Sequence, residues 1–141
     1  MIRTLALATV FSLAMTSSAL AAIEVEDAYA EMMEGNATRG DIFFKITNSG
    51  ETADRLYAVK TKVAGKAILE ASFEKEVQAG DEQQATALEV APGKTLTLSE
   101  DGAHVELLDL KAPLKPGDTF TARLFFEEAG VIKVKVVVGE E

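Results

Sequence analysis

Imidazole is the side chain that both ligates metals and exchanges protons near neutral pH, and the sequence contains a single one, His104. It lies in Asp101-Gly102-Ala103-His104-Val105-Glu106-Leu107-Leu108, where an Asp-Gly turn signal precedes alternating residues, so His104 is expected to open a strand. On a strand, His104 and Glu106 project to one face while Val105 and Leu107 project to the other. A His-x-Glu pair on an exposed face can supply half of a metal site, which needs three or four converging donors. It can equally be a solvated pair beside a turn. Met32 and Met33 are the only methionines after the first 21 residues. Thioethers suit soft Cu(I). Adjacent residues on a strand face opposite ways, so at most one of the two would reach a given site, and loop packing is their alternative use.

The remaining chemistry is narrowed by what is absent. The 141 residues include no cysteine, which removes disulfides, thiolate metal sites and a thiol nucleophile together. His104 is the only imidazole base, no G-x-S-x-G elbow occurs, and no glycine loop suited to phosphates is present. Carboxylates abound without any pair being singled out for acid–base work, so no enzyme is expected. The chain carries 14 Lys+Arg against 23 Asp+Glu, a net charge of −9. That balance speaks against nucleic acid as a partner, because phosphate backbones are held by clustered cations.

The elements that must position these side chains read as short strands. Arg3, the apolar run Leu5–Met15 and the Ala19-Leu20-Ala21 cut site describe a secretory signal peptide over residues 1–21. The domain is then residues 22–141, with a periplasmic location and no second hydrophobic segment to span a membrane. No lipid-accepting cysteine follows the cut. Turn signals recur at Asn48-Ser49-Gly50, Ala64-Gly65, Ala79-Gly80-Asp81, Pro92-Gly93, Asp101-Gly102, Pro116-Gly117-Asp118 and Ala129-Gly130. Between them the chain alternates with period two: Phe120, Ala122, Leu124 and Phe126 share a face, as do Ile132, Val134, Val136 and Val138. These two segments form a hairpin across Glu127–Gly130. Earlier candidates are 23–30, 41–47, 55–63 and 66–73, with polar Glu74–Ala87 as a loop or ragged hairpin. Seven to nine such strands predict an all-β antiparallel sandwich in a single domain.

Several runs together resemble the periplasmic copper chaperones called PCu(A)C. They are Thr47-Asn48-Ser49-Gly50, Asp54-Arg55-Leu56 and Val63-Ala64-Gly65, then Val90-Ala91-Pro92-Gly93-Lys94-Thr95-Leu96-Thr97-Leu98. Gly102–Leu110, Pro113–Asp118 and Phe126–Gly130 continue the likeness. The resemblance implies a cupredoxin-like β-sandwich that binds Cu(I) and passes it to a periplasmic copper-accepting protein on the way to cytochrome c oxidase. The family's ligand pattern is His or Met, ten residues, Met, twenty-one residues, then His-x-Met. Only His104 matches it. The closing methionine is Glu106, the middle one falls on Glu82, and the first ligand falls on Ala71 by counting or Glu70 by local pattern.

Carboxylates are harder donors than thioethers, so His104 with Glu106, Glu70 and Glu82 would suit Cu(II) or Zn²⁺ better than Cu(I). Three readings follow. The protein handles copper, with Met32 or Met33 replacing a lost thioether; or it binds a divalent metal through His and Glu; or it is a metal-free interaction module on the same fold.

Overall fold

A computed structural model describes residues 22–71 and 86–139. Among these, nine strands are present and no helix: β1 (Ile23–Met32), β2 (Gly40–Asn48), β3 (Asp54–Thr61), β4 (Ala64–Glu70), β5 (Leu88–Val90), β6 (Thr95–Thr97), β7 (His104–Leu110), β8 (Thr119–Phe126) and β9 (Gly130–Val138). The sheet runs β4-β7-β2-β1-β9-β8-β3-β5, with β6 paired to β2 beside β7. The expected all-β sandwich is therefore the architecture. Every ladder is antiparallel except the short one between β1 and β9, where Tyr29 meets Val137 and Ala30 meets Val138. That seam joins a β4-β7-β2-β1 half to a β9-β8-β3-β5 half.

Alternation fills the space between the halves. Ile42, Phe44 and Ile46 of β2 point inward with Val105 and Leu107 of β7, facing Leu56, Ala122, Leu124, Phe126 and Val136. Burying a leucine or phenylalanine in this way is worth about 1.5–3 kcal/mol. Asp27 interrupts the alternation of β1. Its φ of 54° and the register shift between Glu26 and Tyr29 mark a bulge, a conformation aspartate tolerates better than most residues. Ile23 and Val25 pack inward before it, Ala28, Ala30 and Met32 after it. The bulge thus changes which residues of β1 face the core.

The runs that carry the family resemblance are largely structural. Asn48 is 1% exposed; its Nδ2 donates to the carbonyls of Thr52 (2.8 Å) and Val90 (3.0 Å), and its Oδ1 accepts from Gly50 N (3.0 Å). Asp54 accepts from the N–H groups of Arg55, Glu128 and Ala129 at 2.7–2.9 Å, fastening the β8–β9 turn to β3. That turn covers Glu127–Ala129, one residue shorter than the hairpin reading expects, because Gly130 already pairs with Phe126 in β9. Two other boundaries differ. Ala64-Gly65 opens β4 and does not form a turn; the chain turns at Lys62-Val63, and β3 and β4 then diverge without sharing a ladder. Leu88–Val90, immediately after the polar stretch Glu74–Ala87, forms β5 against Asp54–Leu56. Residues 72–85, and with them Glu82 and the turn signal at Ala79-Gly80-Asp81, lie outside the described residues, as does the leader over residues 1–21.

Candidate metal centre

His104 begins β7, as its turn-then-alternation context predicts, and it faces away from the core. Antiparallel register sets its neighbours. Glu70 of β4 pairs with His104, and Ile68 pairs with Glu106. On the other side, Asp41 of β2 pairs with Glu106 and Ile42 with Val105, which carries Phe43 alongside His104 with ring centres 6.3 Å apart. The outer face of β4-β7-β2 therefore gathers Glu70, His104, Glu106 and Asp41. Glu70 and Glu106 point outward, yet they are only 6% and 4% exposed.

The imidazole is oriented by its own turn. Nδ1 lies 3.0 Å from the carbonyl oxygen of Gly102. A carbonyl can only accept, so this contact assigns the proton to Nδ1 and leaves the Nε2 lone pair free in the neutral ring. Nε2 faces Asp41 Oδ1 at 4.0 Å, too far for a direct hydrogen bond. That oxygen is buried and has no hydrogen-bond partner among the described residues. A lone pair and a carboxylate oxygen thus confront each other across a gap that a proton or a cation would satisfy. Burial raises the Asp41 pKa, and the charges of Glu106 and Glu31 raise it further; His104 and Arg39 pull the other way.

Glu106 is committed elsewhere. Its Oε1 forms an ion pair with Arg39 Nη2, so the carboxylate that replaces the family's closing methionine already has a cation beside it. Arg39 sits just before β2, one residue ahead of Gly40, from which it reaches across to β7. The methionines make contacts of their own. Met32 turns inward after the bulge, and its Sδ accepts from Leu114 N at 3.3 Å. Met33 leaves β1 and donates its N–H to the Arg39 carbonyl at 3.0 Å. Among the described residues no three of His, Asp and Glu converge closely enough to enclose a metal ion.

Asp41 and Arg39 are absent from the sequence reading. The alternation Asp41-Ile42-Phe43-Phe44-Lys45 could have set Asp41 on the outer face, but its partner strand is set only by long-range pairing.

The family model described as "Putative lipoprotein LpqE-like" matches residues 23–138. The chain belongs to the LpqE-like family, of the PCu(A)C type. Solved structures agree on the cupredoxin-like β fold. The chain is 25% identical to the copper-bound PCuAC domain from PmoF2, with a TM-score of 0.72 over 88% of this chain and 97% of that one. It is 26% identical to the apo PCuAC domain from PmoF1, with a TM-score of 0.73 over 85% and 95%. Against the solution structure of CuI-DR1885 from Deinococcus radiodurans the values are 27% and 0.66, over 81% and 76%. No curated protein matched the sequence. Within this LpqE-like chain, no helix among the described residues is long and apolar enough to cross a membrane.

Proposed function

We propose that this protein is a periplasmic copper-handling protein that carries the metal as cargo, with His104 Nε2 as the anchoring donor. The observation that supports this is the free Nε2 lone pair facing the unpartnered Asp41 Oδ1 across 4.0 Å. Asp41 and the adjacent Glu70 are the donors next in line; Glu106 joins them only by giving up Arg39. An imidazole–carboxylate set favours a borderline divalent ion over Cu(I). Cu²⁺ is therefore the expected form, with Zn²⁺ as its competitor. The relatives solved with copper support copper as the cargo. A cleavable leader over residues 1–21 takes the chain to the periplasm, and a copper-accepting protein there, on the route to cytochrome c oxidase, is the partner this reading implies.

The test is direct metal titration. Cu²⁺, Zn²⁺ and anaerobically held Cu(I) are each titrated against a competing chelator. One-to-one binding is expected, strongest for Cu²⁺, and His104→Ala weakens it by about tenfold or more. Asp41→Asn weakens it less. Affinity unchanged in His104→Ala, or no binding of any of the three ions, overturns the reading.

A further inference from the structure

The outer face of β3, β8 and β9 carries an arrangement that folding alone disfavours. Lys60 of β3 lies opposite Arg123 of β8, and Arg123 lies opposite Lys133 of β9. Side chains so paired start about 5 Å apart, and like charges there repel. Phe125 offers some relief, with Lys60 Nζ 5.4 Å and Arg123 Cζ 5.7 Å from its ring centre. No carboxylate does. Among the described residues the ion pairs involve Arg39, Lys45 and His104, and none of these three cations. All three are exposed, in a chain whose acids outnumber its bases 23 to 14.

The row borders a groove. Where β3 and β4 diverge without a shared ladder, a cavity of about 1020 Å³ opens. Lys60, Lys62, Lys66, Arg123 and Lys133 line it with Phe120, and among the described residues no acid lines it. The strand edges there add donors. Among the described residues, β4 pairs only with β7, and β3 meets β5 only over Asp54–Leu56. Alternate backbone N–H groups on those edges consequently have no ladder partner. The smaller pocket that adjoins past Lys62 and Phe120 contains Lys111 and one acid, Asp118, whose Oδ2 accepts from Lys115 N.

We propose that this groove binds a small multivalent anion carrying several carboxylate or phosphate groups. Its volume is that of a small-molecule site. Cations border it on β3, β4, β8 and β9 and at the Lys62 turn, around a concavity that a flat bilayer surface would not require. Charge-assisted hydrogen bonds from lysine and arginine are the strong interactions such a ligand would gain. The site shares β4 with the copper reading through Glu70, but it uses none of the same side chains and stands or falls independently of it.

Tripolyphosphate and citrate are the probes, titrated by calorimetry and mapped by amide chemical shifts. Saturable binding of at least one is expected, with shifts centred on residues 58–67 and 120–123 and on Lys133. The stronger of the two probes distinguishes a phosphate from a carboxylate ligand. Lys60→Gln with Arg123→Gln weakens it by about tenfold or more. Lys94→Gln with Lys115→Gln removes the same charge elsewhere and changes affinity by less than about twofold. Absence of saturable binding, shifts centred elsewhere, or equal loss in both double variants overturns the proposal. So does binding to vesicles of anionic phospholipid with neither soluble probe bound, which would assign the cations to a membrane surface.

Discussion

On the outer face of β4, β7 and β2, Glu106 is covered to 4% exposure and held by Arg39, and His104 is fixed by the Gly102 carbonyl. On the outer face of β3, β8 and β9, Lys60, Arg123 and Lys133 stand exposed in one row with no carboxylate among the described residues to answer them. Both faces belong to strands that alternate in the same way, so pattern does not separate them. Solvent does. A charge removed from water must find a partner, whereas a charge left in water tolerates a like neighbour at modest cost. The first face is consequently where single substitutions do the most damage, and the second is where they are cheap.

The largest effect expected from that contrast is at Arg39. Arg39→Gln leaves the buried Glu106 carboxylate uncompensated and costs about 3 kcal/mol, near the lower end for a broken buried pair because Arg39 itself is a third exposed. At this chain length the melting temperature falls by roughly 10 °C. Glu106→Gln costs less, since Arg39 can turn towards water when its partner is gone. The double variant recovers part of the loss. Equal costs for the two single variants, measured by denaturant unfolding, would remove the asymmetry of burial on which the comparison rests.

How much of this was legible follows the range of the interactions. His104 and Glu106 on one face, and the β8–β9 hairpin, come from period-two alternation and a turn signal within about ten residues. Glu70 beside His104 needed the family pattern, and β4–β7 register then supplied the contact. Asp41 and Arg39 reach the site through β2–β7 pairing across more than sixty positions, which no local pattern encodes. The same limit hides the cation row: the hairpin sets Arg123 and Lys133 across from each other, but Lys60 arrives from a distant strand. Local signals also failed at Asp27, where one residue at positive φ turned Met32 inward, and at Lys62-Val63, a turn without glycine or proline.

A smaller effect sharpens the contrast through pH. Burial and the charges of Glu106 and Glu31 raise the Asp41 pKa above the ordinary aspartate value. The folded protein therefore holds this proton more tightly than the unfolded chain. Between the two pKa values folding takes up protons, so the group's contribution to stability falls as pH rises through that window and remains lower above it. Asp41→Asn removes the penalty. In metal-free buffer the variant is expected to be more stable than the parent at pH 7, and the difference should vanish as pH falls below the usual aspartate range. A gain that is constant with pH would show that ionisation of Asp41 is not its source.

The smallest effect is expected in the cation row, and its sign is what matters. Arg123 has Lys60 on one side and Lys133 on the other, so Arg123→Gln relieves two repulsions while losing one contact with Phe125. At low salt the net change is a stabilisation of about 0.5 kcal/mol. Added salt screens exposed charges over about 10 Å and less, so the gain should shrink towards zero as ionic strength rises. The Arg39–Glu106 pair, largely shielded from water, should show little of that salt dependence. If Arg123→Gln instead destabilises at every ionic strength, the row is held by its packing on Phe125, and its charges carry no stored cost for an anionic ligand to relieve. If it stabilises at low salt, the residue that best grips the anion is also one that the empty fold would be better without, which is the signature of a site kept for binding.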